Sequence, residues 1–175
     1  MLRLGPLRLH WSLLLGAALF CALQFRLLLV IGYGAVILAH LLGHLLAVAR
    51  TPLRVEGAML HGLGGELLGT GEVPPVRRSF VAISGVAAQA ALLVLAALVA
   101  MPPDLHEAFT RRNGVMLLLN LLPVKPLDGA LAWKLPARWR AARRIRRRGE
   151  LRASSDVRKD VDDLLRKIRR SNRVR

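Results

Sequence analysis

Long apolar runs, interrupted by short polar breaks, dominate the chain as far as residue 130. A helix needs about 20 mostly apolar residues to cross a bilayer, and these runs are of that order. The pattern therefore predicts four transmembrane spans. They cover residues 10–25, 27–49 and 80–101, and a last stretch from residue 108 or 114 to residue 123.

The segment between the second and third spans has a different composition. Residues 53–78 are rich in glycine and contain Pro74-Pro75, which is typical of short strands and turns. The fourth span is broken by Pro123 and Pro126. Irregular backbone at membrane depth is tolerated only where it is buried in protein or lines a cavity, so this break indicates a site.

The C-terminal part of the chain is basic and polar. Residues 134–148 hold eight Lys/Arg, and residues 156–170 carry a narrow apolar stripe at helical spacing. We expect Ser154 or Ser155 to cap this second segment as a helix. The stripe consists of Val157, Val161, Leu164, Leu165 and Ile168.

These patterns predict an all-α membrane protein with about four transmembrane helices, a small β-rich cytoplasmic loop and a basic C-terminal helix. Residues 1–130 form the predicted membrane domain, and residues 131–175 form a basic cytoplasmic tail with an amphipathic helix. The hydrophobic fraction of 54% agrees with this class of protein.

Charge is distributed unevenly along the chain. Residues 134–175 hold 17 Lys/Arg against five Asp/Glu, so they carry +12 of the net charge of +16. The expected partner of this tail is the anionic headgroups of a membrane, because they are the acidic groups nearest to the end of a span. Nucleic acid is not an expected partner.

Four spans place both termini on one side of the membrane. Arginines cluster on that side, in the loop between the second and third spans, and the positive-inside rule makes it cytoplasmic. We therefore expect an integral, multi-pass membrane protein with both termini in the cytoplasm. The loop arginines are Arg50, Arg54, Arg77 and Arg78, whereas Arg111 and Arg112 fall in the opposite loop.

Two histidines and an aspartate are candidate metal ligands. His40 and His44 are four residues apart in the second span, so they share one helical face. Asp128 follows the broken fourth span and could complete a three-ligand site. These residue types are costly within a membrane and indicate function there. The bare histidine pair is weak evidence, since a membrane histidine is more often a structural hydrogen-bonding residue.

Residues 120–129 have the more specific pattern Asn-x-x-Pro-x-x-Pro-Leu-Asp-Gly. With this motif and the histidine helix, residues 7–130 resemble the site-2 protease family of intramembrane zinc metallopeptidases. The resemblance implies a zinc ion held by His40, His44 and Asp128, and cleavage of transmembrane substrates. It also implies that Asn120 contacts the substrate backbone or the developing oxyanion.

One departure from the family concerns catalysis. Leu41 stands where the H-E-x-x-H pattern has the glutamate that takes a proton from the attacking water. Loss of a general base costs about 10²–10⁴-fold in rate. A pseudoprotease, an enzyme with a substitute base and an inactivated variant all fit this substitution. Val86 and Gln89, where Pro and Asn are usual, are expected to affect local packing alone.

The remaining titratable residues receive lesser roles. Glu66 follows a Gly-Gly turn and could act as a base from a loop, but its expected role is that of a solvated acid. His61 and His106 lie in predicted loops and are expected at the surface.

The function predicted from these residues is that of a site-2-protease-like zinc scaffold that acts on or binds transmembrane segments. We expect its proteolysis to be absent or very weak, and its partner at the site to be a transmembrane protein substrate or client. The alternative is a metal-independent membrane adaptor that works through its basic tail. The zinc content of the purified protein separates the two hypotheses.

Overall fold

The computed structural model describes residues 2–22, 24–125 and 127–171, in two compact units, Met1–Leu135 and Pro136–Arg175. The strands are β1 (Leu2–Leu4), β2 (Leu7–Leu9), β3 (Arg54–His61) and β4 (Gly64–Thr70). The helices are α1 (Ser12–Phe20), α2 (Leu27–Val48), α3 (Pro75–Leu98), α4 (Pro103–Glu107), α5 (Asn113–Asn120), α6 (Gly129–Ala132) and α7 (Leu135–Ser171). A π-helical turn, Ala108–Arg112, joins α4 to α5.

The four strands form one sheet in the order β1-β2-β3-β4. The chain is therefore mostly helical, and its sheet is larger than the β-rich loop that accompanied the prediction of an all-α protein. Two antiparallel hairpins, β1–β2 and β3–β4, are joined by parallel pairing of β2 with β3. The sequence prediction missed the first hairpin. Its signal is a turn at Gly5-Pro6, where Gly5 has φ of +62°, followed by the period-2 alternation of Leu7, Arg8 and Leu9.

Among the described residues, two helices are long and apolar enough to cross a membrane, α2 and α3. At 1.5 Å per residue they reach about 33 and 36 Å, against a hydrocarbon core of about 30 Å. The predicted first span contains only α1, about 14 Å long, because the helix ends at Phe20. The predicted fourth span is divided among α4, the π-helical turn and α5. The part of the chain that the structure describes therefore holds two full-length spanning helices, not the four predicted.

The two long helices present many large apolar side chains on their outer surfaces. Soluble monomers rarely expose large apolar patches, so these surfaces indicate membrane association. The exposed residues include Val30, Ile31, Leu38, Leu42 and Leu46 of α2, and Phe80, Val94, Leu95 and Leu98 of α3.

One buried tyrosine forms hydrogen bonds that connect the elements around the apolar core of α2. Val36 and Met116 are almost fully buried in this core. The hydroxyl of Tyr33, also buried, donates to the carbonyl oxygens of Leu13 and Gly62, which lie 3.1 and 3.0 Å away. Tyr33 thereby links α1 and the turn of the β3–β4 hairpin to α2.

Arg112, expected in the loop between the third and fourth predicted spans, is buried in the π-helical turn. Its guanidinium donates to the carbonyl oxygen of Phe20 at the end of α1 and to Oε1 of Glu107, 2.9 Å away. The last carbonyls of a helix have no partner within that helix, so Arg112 caps α1 while Glu107 balances its charge. A second ion pair, Arg26–Asp104 at 3.0 Å, joins the start of α2 to α4.

The second unit is formed by α7, which continues through both serines predicted to begin a new helix, Ser154 and Ser155. Arginine and alanine, which fill the preceding basic segment, have high helix propensity, so the helix begins earlier than predicted. Of the predicted apolar stripe, the structure describes the side chain of Val161 alone, and this side chain is exposed.

Candidate metal centre

Three potential ligand atoms meet near the C-terminal end of α2. His40 and His44 are 2% and 4% exposed, and Asp128 immediately precedes α6. The two Nε2 atoms are 3.0 Å apart, and Oδ2 of Asp128 lies 3.2 Å from that of His40 and 3.3 Å from that of His44. The structure therefore brings together the three residues that the sequence indicated as ligands.

Each imidazole is oriented through its other nitrogen. Nδ1 of His44 lies 2.8 Å from the carbonyl oxygen of Val81, which can only accept, so Nδ1 carries the proton. Nδ1 of His40 donates in the same way to Oε1 of Gln89, 3.2 Å away. A neutral imidazole has one N–H, so both Nε2 atoms keep a free lone pair.

None of the three facing atoms, the two Nε2 atoms and Oδ2 of Asp128, carries a proton, so each can offer a lone pair to a metal ion. Oδ2 of Asp128 is buried and has no hydrogen-bond partner among the residues that the structure describes. Ligands bound to a tetrahedral Zn²⁺ at about 2.0–2.1 Å are about 3.3 Å from one another, close to the separations of 3.0–3.3 Å found here. The residues present therefore fit a three-ligand zinc site.

Two glycines provide the space that the imidazoles occupy. A Cβ atom at Gly85, on α3, would lie 2.6 Å from Nε2 of His44 and 2.8 Å from Cε1 of His40. A Cβ atom at Gly64, at the start of β4, would lie 2.9 Å from Nε2 of His40. Any larger residue at either position would displace the rings, so the small residues of both segments belong to the site.

The loop that carries Asp128 is fixed by close backbone contacts. A side chain at Gly129 would clash with the carbonyl oxygens of Leu121 and Leu122, so glycine is required directly after the aspartate. Nε1 of Trp133 donates to the carbonyl oxygen of Leu121 at 2.7 Å. These contacts hold the two ends of the loop after α5 close together.

Gln89 connects the ligands to Asn120. Its Oε1 accepts from His40 and from Nδ2 of Asn120, 3.3 Å away, and Nδ2 also donates to the carbonyl oxygen of Leu63 at 2.7 Å. Gln89, expected to affect local packing alone, is a hydrogen-bond partner of a candidate ligand. The predicted contact of Asn120 with substrate or oxyanion stays a prediction, since both of its amide hydrogens are engaged within the protein.

Leu41 is 8% exposed, and its side chain packs against β4. A Cβ atom added at Gly65 would lie 3.2 Å from Cδ1 of Leu41. The position that carries the general base in the H-E-x-x-H pattern is thus occupied by an apolar side chain in van der Waals contact with the strand.

A cavity of about 340 Å³ opens beside the three ligands. It is also lined by His61, Glu66, Arg78 and Asn120. His61 was expected at the surface, but it ends β3 and faces this cavity, where burial and the neighbouring His40 lower its pKa below the usual value. The position of His61 at the cavity depends on the folding of the β3–β4 hairpin, so no local sequence pattern predicted it.

Comparison with known proteins supports the fold. No family model and no curated protein matches the sequence significantly. The structure is similar to that of the site-2 protease from Methanocaldococcus jannaschii, with a TM-score of 0.59 and 19% identity over 77% of this chain and 68% of that chain. The chain thus has a site-2-protease-like fold, and the resemblance predicted from residues 7–130 is confirmed at the level of the fold.

Proposed function

We propose that the protein is a zinc-binding membrane scaffold of the site-2-protease type that accommodates transmembrane segments of other proteins. The observation that carries this proposal is the convergence of three lone-pair donors, from His40, His44 and Asp128, within 3.3 Å of one another. The fold similarity and the apolar surfaces of α2 and α3 support it. We further propose that hydrolysis is weak, because Leu41 accepts no proton.

The ligand residues and Leu41 affect different steps. A bound zinc ion polarises a carbonyl group under attack and makes water nucleophilic at neutral pH. His40 and His44 would hold the ion with their ring orientation fixed through Nδ1, and Asp128 would supply the third ligand. The absence of a general base at Leu41 slows only the removal of a proton from the attacking water. Binding of a client segment does not need this step, so we propose that binding is retained although cleavage is slow.

The sheet limits how the chain can cross a bilayer. β2 precedes α2 and β3 follows it, and the two strands pair, so they lie on the same side of any bilayer that α2 crosses. The segment between β2 and α2, which contains α1, must then carry the chain across the bilayer in the opposite direction. Likewise, Asp128 follows α3 and meets the C-terminal end of α2, so the segment from α4 to α5 must bring the chain back.

We therefore propose a multi-pass protein with the sheet, the metal centre and the start of α7 on one side of the membrane. The positive-inside rule makes this side cytoplasmic, since Arg50, Arg54, Arg77 and Arg78 flank the β3–β4 hairpin. Both termini are proposed to lie there.

We also propose that residues 134–175 bind anionic lipid headgroups. The arginines between residues 140 and 148 are all exposed, and few acids accompany them. A basic segment that follows a membrane domain is attracted to an acidic leaflet by about 1 kcal/mol per Lys/Arg.

Zinc content tests the proposed function. Full-length protein purified in detergent without chelators should contain about one zinc ion per chain, bound through three protein ligands. His44→Ala or Asp128→Ala should lower the zinc content sharply, because each removes one of these ligands. His106→Ala, which changes an exposed histidine of α4, should leave it unchanged. Metal-free wild-type protein would contradict the site and favour a metal-independent adaptor.

A further inference from the structure

One face of the β3–β4 hairpin is directed at the metal centre. His61 is paired with Gly64, and Met59 with Glu66. Alternate residues of a strand share a face, so His61, Gly64 and Glu66 lie on the same side of the hairpin. His61 and Glu66 both line the cavity that contains the three ligands.

This face comes very close to a ligand atom. The Cβ position of Gly64 is 2.9 Å from Nε2 of His40, so the strand passes directly beside the nitrogen that faces Asp128. Two residues of a strand advance about 6.7 Å, so Glu66 lies one step further along the same face. The side chain of Glu66 is exposed to the cavity and is not confined by packing.

Leu41, which cannot accept a proton, packs against Gly65, the residue of β4 that precedes Glu66. Gly65 points to the opposite face of β4, and that is where Leu41 packs.

We propose that Glu66 is the proton acceptor of this site, in place of the glutamate absent from position 41; this inference rests on the proposed zinc function. In peptide hydrolysis, the oxygen of water forms a bond to the carbonyl carbon while one of its protons passes to the Glu66 carboxylate. The C–N bond then breaks, and the proton passes from Glu66 to the leaving nitrogen. The products are a carboxylic acid and an amine, with no further reactant.

The test compares two charge-removing variants of full-length, zinc-loaded protein in detergent. Glu66→Gln removes the carboxylate at the cavity, and Glu72→Gln removes one from the exposed loop after β4. Three quantities are measured for each protein: zinc per chain, affinity for acetohydroxamate by calorimetry, and the rate of cleavage of a model transmembrane peptide. Acetohydroxamate binds zinc and can donate a hydrogen bond to a nearby carboxylate, so its affinity reports on Glu66 without catalysis.

We expect Glu66→Gln to keep its zinc, to bind acetohydroxamate about tenfold less tightly because a charge-assisted hydrogen bond is lost, and to lose about 10²–10⁴-fold of the cleavage rate. Glu72→Gln should match the wild type in all three measurements. In a Leu41→Glu background, Glu66→Gln should leave cleavage unchanged, since the new glutamate takes the proton.

Zinc-loaded wild type that cleaves nothing, or Glu66→Gln that matches the wild type, would overturn the role of Glu66 and leave the proposed scaffold intact. Wild-type protein that binds no zinc would overturn both proposals.

Discussion

Nδ1 of His44 donates to a backbone carbonyl oxygen, that of Val81, whereas Nδ1 of His40 donates to a side chain, that of Gln89. The first bond survives almost any substitution, but the second can be removed by one. Gln89 is fully buried, so no solvent water is available to replace it. The orientation and tautomer of His40 therefore depend on a single residue of α3.

Gln89→Leu should weaken zinc binding about 10–100-fold, the usual cost of losing a hydrogen bond that orients a metal ligand. Competition with a zinc chelator measures this on purified protein. Gln24→Leu, at an exposed glutamine, is the matched control and should bind zinc as the wild type does. Unchanged affinity in Gln89→Leu would show that the hydrogen bond does not orient His40.

In a Glu66→Gln background, Leu41→Glu should raise cleavage of a transmembrane peptide by about 10²–10⁴-fold, because it restores a general base directly after a candidate ligand. Leu41→Gln has a similar shape but cannot accept the proton, so it should give no increase. His40→Ala in the Leu41→Glu background should abolish the gain. A Leu41→Glu, Glu66→Gln protein that binds zinc and remains inactive would contradict the expected action of a base at position 41.

The sequence indicated that His40, His44 and Asp128 would lie together, because they belong to spaced motifs with their own chemistry. It did not identify Gln89 or His61. Their contacts with the site depend on the packing of α3 and of the hairpin against α2, which local pattern does not encode.

At the scale of secondary structure, α7 carries its charge on an accessible surface. The side chains of its exposed arginines extend into solvent, and the guanidinium of Arg143 lies 3.7 Å from the centre of the Trp139 ring. Trp139 is the one tryptophan of the unit Pro136–Arg175. Its fluorescence therefore reports on this helix alone in a peptide of that unit.

A peptide of residues 136–175 should bind vesicles that contain phosphatidylserine and should dissociate as salt is raised, because screening weakens the attraction. Replacing the arginines between residues 140 and 148 by glutamine should remove most of the affinity, at about 1 kcal/mol per charge. Trp139 fluorescence measures both effects. Equal binding to neutral vesicles would contradict the electrostatic account.

Helices α2 and α3 could be predicted because long apolar runs have few alternatives in a membrane protein. The first and last predicted spans failed for different reasons. Residues before Ser12 enter the sheet through pairing with β3, a contact distant in sequence. The last span is divided at the π-helical turn, where Arg112 turns inward to cap α1.

At the scale of the whole molecule, the proposed multi-pass topology places β2, β3 and Asp128 on one side of the membrane. With Cys21 replaced by alanine, cysteines placed at Arg8 and Glu72 should react with an impermeant maleimide from the cytoplasmic side. A cysteine at Ala100, after α3, should react from the opposite side. Labelling of right-side-out and inverted vesicles measures this. Arg8 and Glu72 on opposite sides would be incompatible with the pairing of β2 with β3.

The parallel pairing of β2 with β3 also sets an order of events during biosynthesis. Leu7 of β2 pairs with Ala58 of β3. At about 5–20 residues per second, β3 is translated several seconds after β2, so β2 is unpaired on this edge during that time. Until then the β1–β2 hairpin is a marginally stable ribbon with an open edge, which can pair with other chains. In the proposed topology, insertion of the segment from α1 to α2 returns the chain to the side of β2, so delayed insertion should leave the nascent chain prone to aggregation.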